Sequence, residues 1–419
     1  MKAAILGYGK SGKAAETLLK LEGYSDITVY DDGDNAFKNI SEFTDTYDIV
    51  AVSPGVNLRK YPNAPKSFTS EIELAQKRKP AGARVVGITG TNGKSTVTAL
   101  TAQVLTKAGI KSEACGNIGL TYGECVLGEP QDCYVVELSS FQTGMLHEFQ
   151  ADCAIVTNLA EDHMDRYRDM DDYADDKMNL VKYIKEGGRL IIEDEAYLVK
   201  KTSFYKGETV KIDPALKSFP VLDGTKLDFG RFYADISKFP LSGGHNIMNL
   251  SYALLAADAL CKFNGDVSYL VADLKGLAHR CEYVDTINGV DWINDSKGTN
   301  LHSTLTALKG FEKGVNVILG GKDKNGDFSV LVDVLNEKAS LVVAYGKAGE
   351  KIENTLKDTV KVPVIRVKDM VEAVDVCFKH AKAGEKVVLS PACASFDLYR
   401  GFEHRGEHFC ELVKALKKG

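Results

Sequence analysis

Three α/β domains built on mostly parallel sheets are expected for this 419-residue chain, and two observations predict them. Apolar strand-like runs alternate with helical patterns from end to end, the signature of strand–helix–strand units. The length also exceeds what one hydrophobic core accommodates.

Residues 3–6, 27–30 and 49–52 read as strands of a first sheet, with a helix over 13–21 and a linker in KRKPAG at 77–82. A second parallel set follows in VVGITG, CYVVELSS, CAIVTNL and RLIIEDE. Residues 209–244, rich in Pro, Gly and Asp, read as irregular β structure leading into a helix near His245, with Leu250, Leu254 and Leu255 on one face. CEYVDTI and VDWIND flank Asn288-Gly289, a strong hairpin signal. Pairing across that turn sets Ile287 opposite Val290 and carries the register to Arg280 opposite Lys297, with Asp295 beside them. VNVILGG, LVVAYG, VPVIRV and KVVLSPAC complete a third parallel sheet. The expected domains are 1–80, 81–277 and 278–419.

Lys+Arg 52 against Asp+Glu 58 gives a net charge of -6, which offers no electrostatic footprint for nucleic acid or an anionic membrane. Nine cysteines without a C-x-x-C pair argue against a disulfide framework and a zinc site, and for a reducing compartment. MKAAILGYGKSG reads as a strand entering a glycine turn, not a signal peptide, and no apolar run reaches about 18 residues. A soluble, cytoplasmic, monomeric protein without membrane insertion is expected.

Gly7, Gly9 and Gly12 form G-x-G-x-x-G between a strand and a helix, with Asp31 and Asp32 ending the next strand. Such a turn holds a pyrophosphate on a helix N-terminus, and NAD(P) or another diphosphate fits it equally well. GITGTNGKST at 87–96 is more specific. Its backbone N–H groups can cradle phosphates, Lys94 can reach the terminal ones and the Ser95 hydroxyl can meet Mg²⁺. Asn117, Glu137 with Ser139, and residues 158–163 gather at the strand ends of the same sheet, where parallel sheets open onto ligands. Glu137 sits in an apolar strand and so needs a cation or a donor, or else is satisfied core polarity.

In DDYADDKMNLVKYI, Lys177 interrupts the apolar face of Tyr173, Leu180, Val181 and Ile184. It either snorkels at the stripe's edge or lies desolvated as a nucleophilic amine able to take up CO₂. Arg280, Asp295 and Lys297 read as a phosphate and ribose clamp or as a surface ion cluster. HRGEH at 404–408 matches a metalloprotease string but reads as a polar helix face.

GITGTNGKST, ELSSFQ, NLAEDHMDRY, YADDK, GGHNIMN, LAHRCE, NDSKGTN and SPACASFD, in that order over nearly the whole chain, resemble the Mur ligase family. The resemblance implies a Rossmann-like first domain holding the UDP of a nucleotide sugar, a P-loop-type central ATPase domain, and a Rossmann-like last domain bringing the amino acid. EDHMDRY and SPACASFDLYRGFEHRG point to the member that adds D-glutamate to UDP-N-acetylmuramoyl-L-alanine for peptidoglycan, through an acyl phosphate made from ATP.

By motif, the resemblance implies ATP on Gly90, Thr91, Asn92, Gly93, Lys94, Ser95, Thr96, Asn249, Arg280, Asp295 and Lys297. It implies one Mg²⁺ on Ser95 and Glu137 and a second on His163 and a CO₂-derived carbamate of Lys177. Lys94, Glu137, His163, Lys177 and Lys297 are the implied catalytic set. Gly9, Lys10, Ser11, Asp31, Asp32, Ser53, Asn117 and His163 would hold the UDP substrate, and Thr299, Lys324, Ser395 and Phe402 the D-glutamate. Lys322 and Asp323 in GGKDKNGD, and Gly298 where alanine is common, depart from the family pattern. A folylpolyglutamate-type ligase is the alternative within the chemistry, and an NAD(P)-dependent oxidoreductase the alternative outside it.

Overall fold

The computed structural model describes residues 1–164, 166–241, 243–323 and 326–417. The chain forms two compact units, Met1–Lys275 and Gly276–Gly419. In the first unit, strands Asp26–Tyr30, Lys2–Leu6 and Ile49–Val52 pair in that order as a parallel sheet, and the Lys10–Leu21 helix follows the first strand. KRKPAG is only partly a linker, because its first two residues close the Glu71–Arg78 helix.

The middle sheet runs Ser112–Gly116, Cys133–Glu137, Arg84–Thr89, Ala151–Val156, Ile184–Glu193, Glu208–Ile212, every pair parallel. Ser112–Gly116 and Glu208–Ile212 are edge strands that the sequence pattern did not mark. Arg84–Thr89 lies where the chain order reverses, so the loops after it and after its two neighbours converge at one sheet end, the place where such folds bind ligands. A small sheet of Val221–Asp223, Lys226–Asp228, Phe232–Asp235 and Gly265–Asp266 accounts for much of the irregular β region. The Gly244–Cys261 helix buries Leu250, Leu254 and Leu255 as expected.

No break in the core accompanies residue 80. One face of the first sheet (Ala3, Ile5, Ala51) and the helix residues Leu18 and Leu19 share an apolar cluster with Val85, Val136, Phe149 and Leu180 of the middle sheet and its helices. Burial also encloses Glu71, whose Oε1 accepts the Gly123 backbone N–H. Desolvation lifts its carboxyl to about 7, against that hydrogen bond. An acid whose folded value is raised holds its proton more tightly when folded. The stability is therefore fully present below pH 4.5 and is lost as pH climbs through 7, by about 3 kcal/mol. Glu71→Gln keeps the acceptor for Gly123 and cannot ionise. Urea melts are expected to match wild type at about pH 4 and to exceed it by about 3 kcal/mol at pH 8, and an equal offset at both pH values would contradict this account.

The second unit carries a sheet ordered Glu282–Ile287, Val290–Asn294, Lys386–Leu389, Val315–Gly320, Ala339–Tyr345, Val364–Arg366, parallel except for the hairpin. Ile287 pairs with Val290, but the register does not continue as the sequence suggests. A bulge between Tyr283 and Asp285 sets Glu282 opposite Asn294, where the ladder ends. His279 and Cys281 then take φ of 63° and 43° and turn the chain out of the sheet. Arg280 is therefore not opposite Lys297, whose N–H instead donates to the His279 carbonyl at 2.9 Å. One extra residue suffices to shift every pair beyond it.

Candidate active site

A cavity of about 480 Å³ opens at the carboxyl end of the first sheet, lined by Gly9, Lys10, Ser11, Asp31, Asp32 and Ser53 among others. A Cβ on Gly12 would stand 2.2 Å from the Gly7 carbonyl, so the turn and the helix can close together only on glycine. Ser53 Oγ donates to that carbonyl at 2.6 Å. Asp31 accepts the N–H groups of Tyr8 at 2.5 Å and Gly33 at 2.8 Å, which shapes the wall. Asp32 accepts the Tyr61 hydroxyl at 2.5 Å and the Ile40 N–H at 2.7 Å, and these two bonds hold its carboxyl below the usual range. Tyr8, Lys60 and Tyr61 also line the cavity, and sequence reasoning missed them because Tyr8 is an unspecified position of the glycine motif and the other two belong to no spaced motif. Asn117 and His163, which the resemblance adds to this group, lie at the end of the middle sheet, where the sequence reading also put them.

There the loop after Arg84–Thr89 is drawn tight. Gly90 has φ +133° and a Cβ would meet Thr157 Oγ1 at 2.0 Å, while Gly93 has φ +81° and a Cβ would meet Asn249 Oδ1 at 2.6 Å. Asn249 is thus brought against the loop. The Asn92 N–H donates to Asn158 Oδ1 at 2.9 Å, Thr157 Oγ1 donates to the Asn92 carbonyl at 2.6 Å, and Thr91 Oγ1 lies 3.1 Å from the Tyr173 hydroxyl. Lys94 Nζ donates to the Thr91 carbonyl at 2.9 Å. Lys94, Ser95 and Thr96 form the first turn of the Lys94–Lys107 helix, whose N–H groups face anything the loop holds.

Two side chains at this sheet end have chemistry that a packed core does not require. Glu137 is buried, and its Oε1 accepts from Asn117 Nδ2 at 3.0 Å, but its Oε2 has no hydrogen-bond partner among the described residues. A buried carboxylate oxygen left unmatched is costly and calls for a cation. Lys177, on the Met170–Lys182 helix, is only 2% exposed and does not snorkel. Its Nζ donates to the Gly90 carbonyl at 2.6 Å and lies 4.7 Å from the Tyr173 ring centre. Desolvation drives its pKa well down, Lys94 adds to the effect, and Asp162, Glu137 and Asp176 oppose it. Tyr173, Leu180 and Val181 share its buried side, whereas Ile184 already begins the next strand.

His163 is half exposed, adopts φ 56° and tilts against Phe141 at 5.0 Å between ring centres. No three His, Cys, Asp or Glu side chains among the described residues converge as a ready-made metal cage.

In the second unit, Asp295 is buried and pushed up to about 6 by desolvation, with Ser390 Oγ donating to it at 2.7 Å and Arg280 opposing the rise. A Cβ at Gly298 would stand 2.7 Å from Asp295 Oδ2, so in this chain the residue in place of alanine clears the carboxylate. Lys297 Nζ sits 4.0 Å from the centre of the Phe402 ring, and the Thr299 N–H donates to the Lys297 carbonyl at 2.8 Å. Ser395 is buried nearby in sequence to the helix Phe402–Leu416, and Lys324 lies outside the described residues. Arg405, unforeseen and fully buried, ties the two loops together. Its guanidinium donates to Ser296 Oγ at 2.9 Å, to the Ser296 carbonyl at 2.8 Å and to the Cys393 carbonyl at 3.1 Å. The HRGEH histidines have local partners, His408 at 2.9 Å from the Tyr399 hydroxyl and His404 at 3.4 Å from the Arg400 N–H.

Family models for the Mur ligase middle domain and for the Mur ligase glutamate ligase domain match residues 88–257 and 279–393. The UDP-N-acetylmuramoylalanine--D-glutamate ligase of Francisella philomiragia is 37% identical over 99% of this chain and 97% of that protein. The ligase of the same name from Aquifex aeolicus is 34% identical over 99% of each. Among solved structures, Thermotoga maritima MurF in complex with ADP superimposes with TM-score 0.63 at 16% identity, over 99% of this chain and 95% of that one. A pseudomurein peptide ligase type C from Methanothermus fervidus gives 0.59 at 17%, over 99% of both.

Proposed function

This chain belongs to the Mur ligase family, and from that premise we propose that it joins D-glutamate to UDP-N-acetylmuramoyl-L-alanine at the cost of ATP, in the cytoplasm, for peptidoglycan. The three-domain α/β fold of the family accommodates it, with boundaries inferred at 80/81 and 277/278. No described helix is long and apolar enough to cross a membrane.

The observation that carries this reading is the convergence, at one sheet end, of a strained glycine loop, a buried carboxylate oxygen without a partner and a buried amine. The loop and the helix start behind it suit the phosphates of ATP, with Asn249 supporting the loop. Lys94 neutralises charge as the substrate carboxylate attacks the γ-phosphorus in line, forming a C–O–P acyl phosphate and releasing ADP. The neutral amine of D-glutamate then attacks the acyl carbon, phosphate leaves, and the amine proton passes to solvent. Ser95 and Glu137 would hold one Mg²⁺, and His163 with modified Lys177 a second, and the ions supply charge stabilisation at the transferring phosphoryl group. A neutral Lys177 amine can add CO₂ through its nitrogen lone pair and release a proton, which would convert a hydrogen-bond donor into a carboxylate-like ligand.

The cavity beside Gly9, Lys10, Ser11, Asp31, Asp32 and Ser53 suits the UDP, with Asn117 and His163 reaching the sugar-peptide end of the substrate. On the second unit, Arg280, Asp295 and Lys297 are proposed to bind ATP, and Thr299, Lys324, Ser395 and Phe402 the D-glutamate. Phosphate release with UDP-N-acetylmuramoyl-L-alanine and a panel of amino acids is expected only with D-glutamate. Release with a folate acceptor instead, or with none of the panel, would overturn the assignment.

A further inference from the structure

We infer that Arg166 is a positioning residue through which filling of the first cavity sets the γ-phosphate end of the middle-sheet site, an inference that rests on the function proposed above. Its guanidinium donates to the carbonyls of Pro54 at 2.9 Å, Gly55 at 3.2 Å and Val56 at 2.9 Å. Those residues are part of the cavity wall. The same residue's backbone N–H donates to the His163 carbonyl at 2.9 Å. Its guanidinium carbon also lies 3.8 Å from the centre of the Phe141 ring, the ring against which His163 tilts. One side chain thus grips the cavity loop while its own backbone closes the turn that presents His163.

A second strut runs parallel to the first. Arg59, next to the wall residue Lys60, makes a two-pronged contact with Asp172 at 2.8 and 3.1 Å. Asp172 is in the first turn of the Met170–Lys182 helix that carries Lys177. Residues 54–60 are therefore tied to both of the elements that carry His163 and Lys177, and to neither by apolar packing alone. A planar fork satisfying three carbonyls is a geometry that an ammonium cannot reproduce. A ligand that orders the loop must in turn order the two elements bound to it, and the coupling is reciprocal.

Calorimetry on the full chain tests this, with Mg²⁺·ADP titrated in the absence and presence of saturating UDP-N-acetylmuramoyl-L-alanine. In wild type the substrate is expected to tighten Mg²⁺·ADP by about fivefold or more. Arg166→Ala and Arg166→Lys are both expected to reduce that factor below about twofold and to lower kcat by about tenfold. Affinity for Mg²⁺·ADP alone, and the melting temperature, should stay close to wild type. Arg59→Ala, which leaves the Arg166 contacts in place, should lose part of the coupling. Full coupling in the Arg166 variants, no coupling in wild type, or weakened Mg²⁺·ADP binding without substrate would overturn the proposal. A wild-type protein that does not bind UDP-N-acetylmuramoyl-L-alanine at all would instead overturn the function on which it rests.

Discussion

Lys177→Ala is expected to reduce ligase turnover by about 100-fold or more, the usual loss when one charge-stabilising group leaves a phosphoryl-transfer site. The amine is buried, strongly disfavoured as an ammonium, and bonded to the Gly90 carbonyl at 2.6 Å. These conditions suit a nucleophile for CO₂ and do not suit a simple cation for phosphate. The carbamate role separates from a structural one by rescue. Formate or acetate at millimolar levels should restore part of the activity of Lys177→Ala by standing in for the proposed carbamate, and should do nothing for wild type. Turnover of Lys177→Ala equal to wild type would remove the carbamate from the mechanism.

The second large effect has opposite signs in stability and in activity. Glu137→Gln should cut turnover by about 100-fold and raise the Mg²⁺ needed for half-maximal rate. The same change should raise the stability of the ligand-free protein by about 1 kcal/mol, because an amide costs less to bury than a carboxylate with one oxygen unmatched. The Asn117 amide keeps an acceptor at position 137. Denaturant melts without Mg²⁺, set beside Mg²⁺ titrations of the rate, read both halves. A variant that loses stability and keeps its Mg²⁺ response would mark Glu137 as a structural residue.

Much of the architecture was legible because apolar runs and glycine turns act locally. Most strands of the three parallel sheets and the helix with Leu250, Leu254 and Leu255 followed from periodicity, whereas the edge strands Ser112–Gly116 and Glu208–Ile212 did not. Lys177 was legible as an interruption of a stripe, but periodicity alone left open whether it snorkels, since only the neighbours across the fold decide its exposure. The glycine loop was legible because Gly90 and Gly93 have no substitute in those conformations. The bulge at Tyr283 was not, since an uninterrupted ladder was assumed and nothing in CEYVDTI marks the extra residue. Arg59, Arg166 and Arg405 were missed for a common reason. Their partners are mostly backbone carbonyls or a carboxylate from distant segments, and a carbonyl leaves no trace in a residue's identity. The shared core between the first and middle sheets was invisible too, because an apolar strand face looks the same whatever covers it.

The close fit around the nucleotide loop restricts how evolution can adjust the enzyme. With Thr157 Oγ1 and Asn249 Oδ1 occupying the space that side chains on Gly90 and Gly93 would need, the loop offers no variation at those two positions. A survey of natural variants should find glycine kept at both positions.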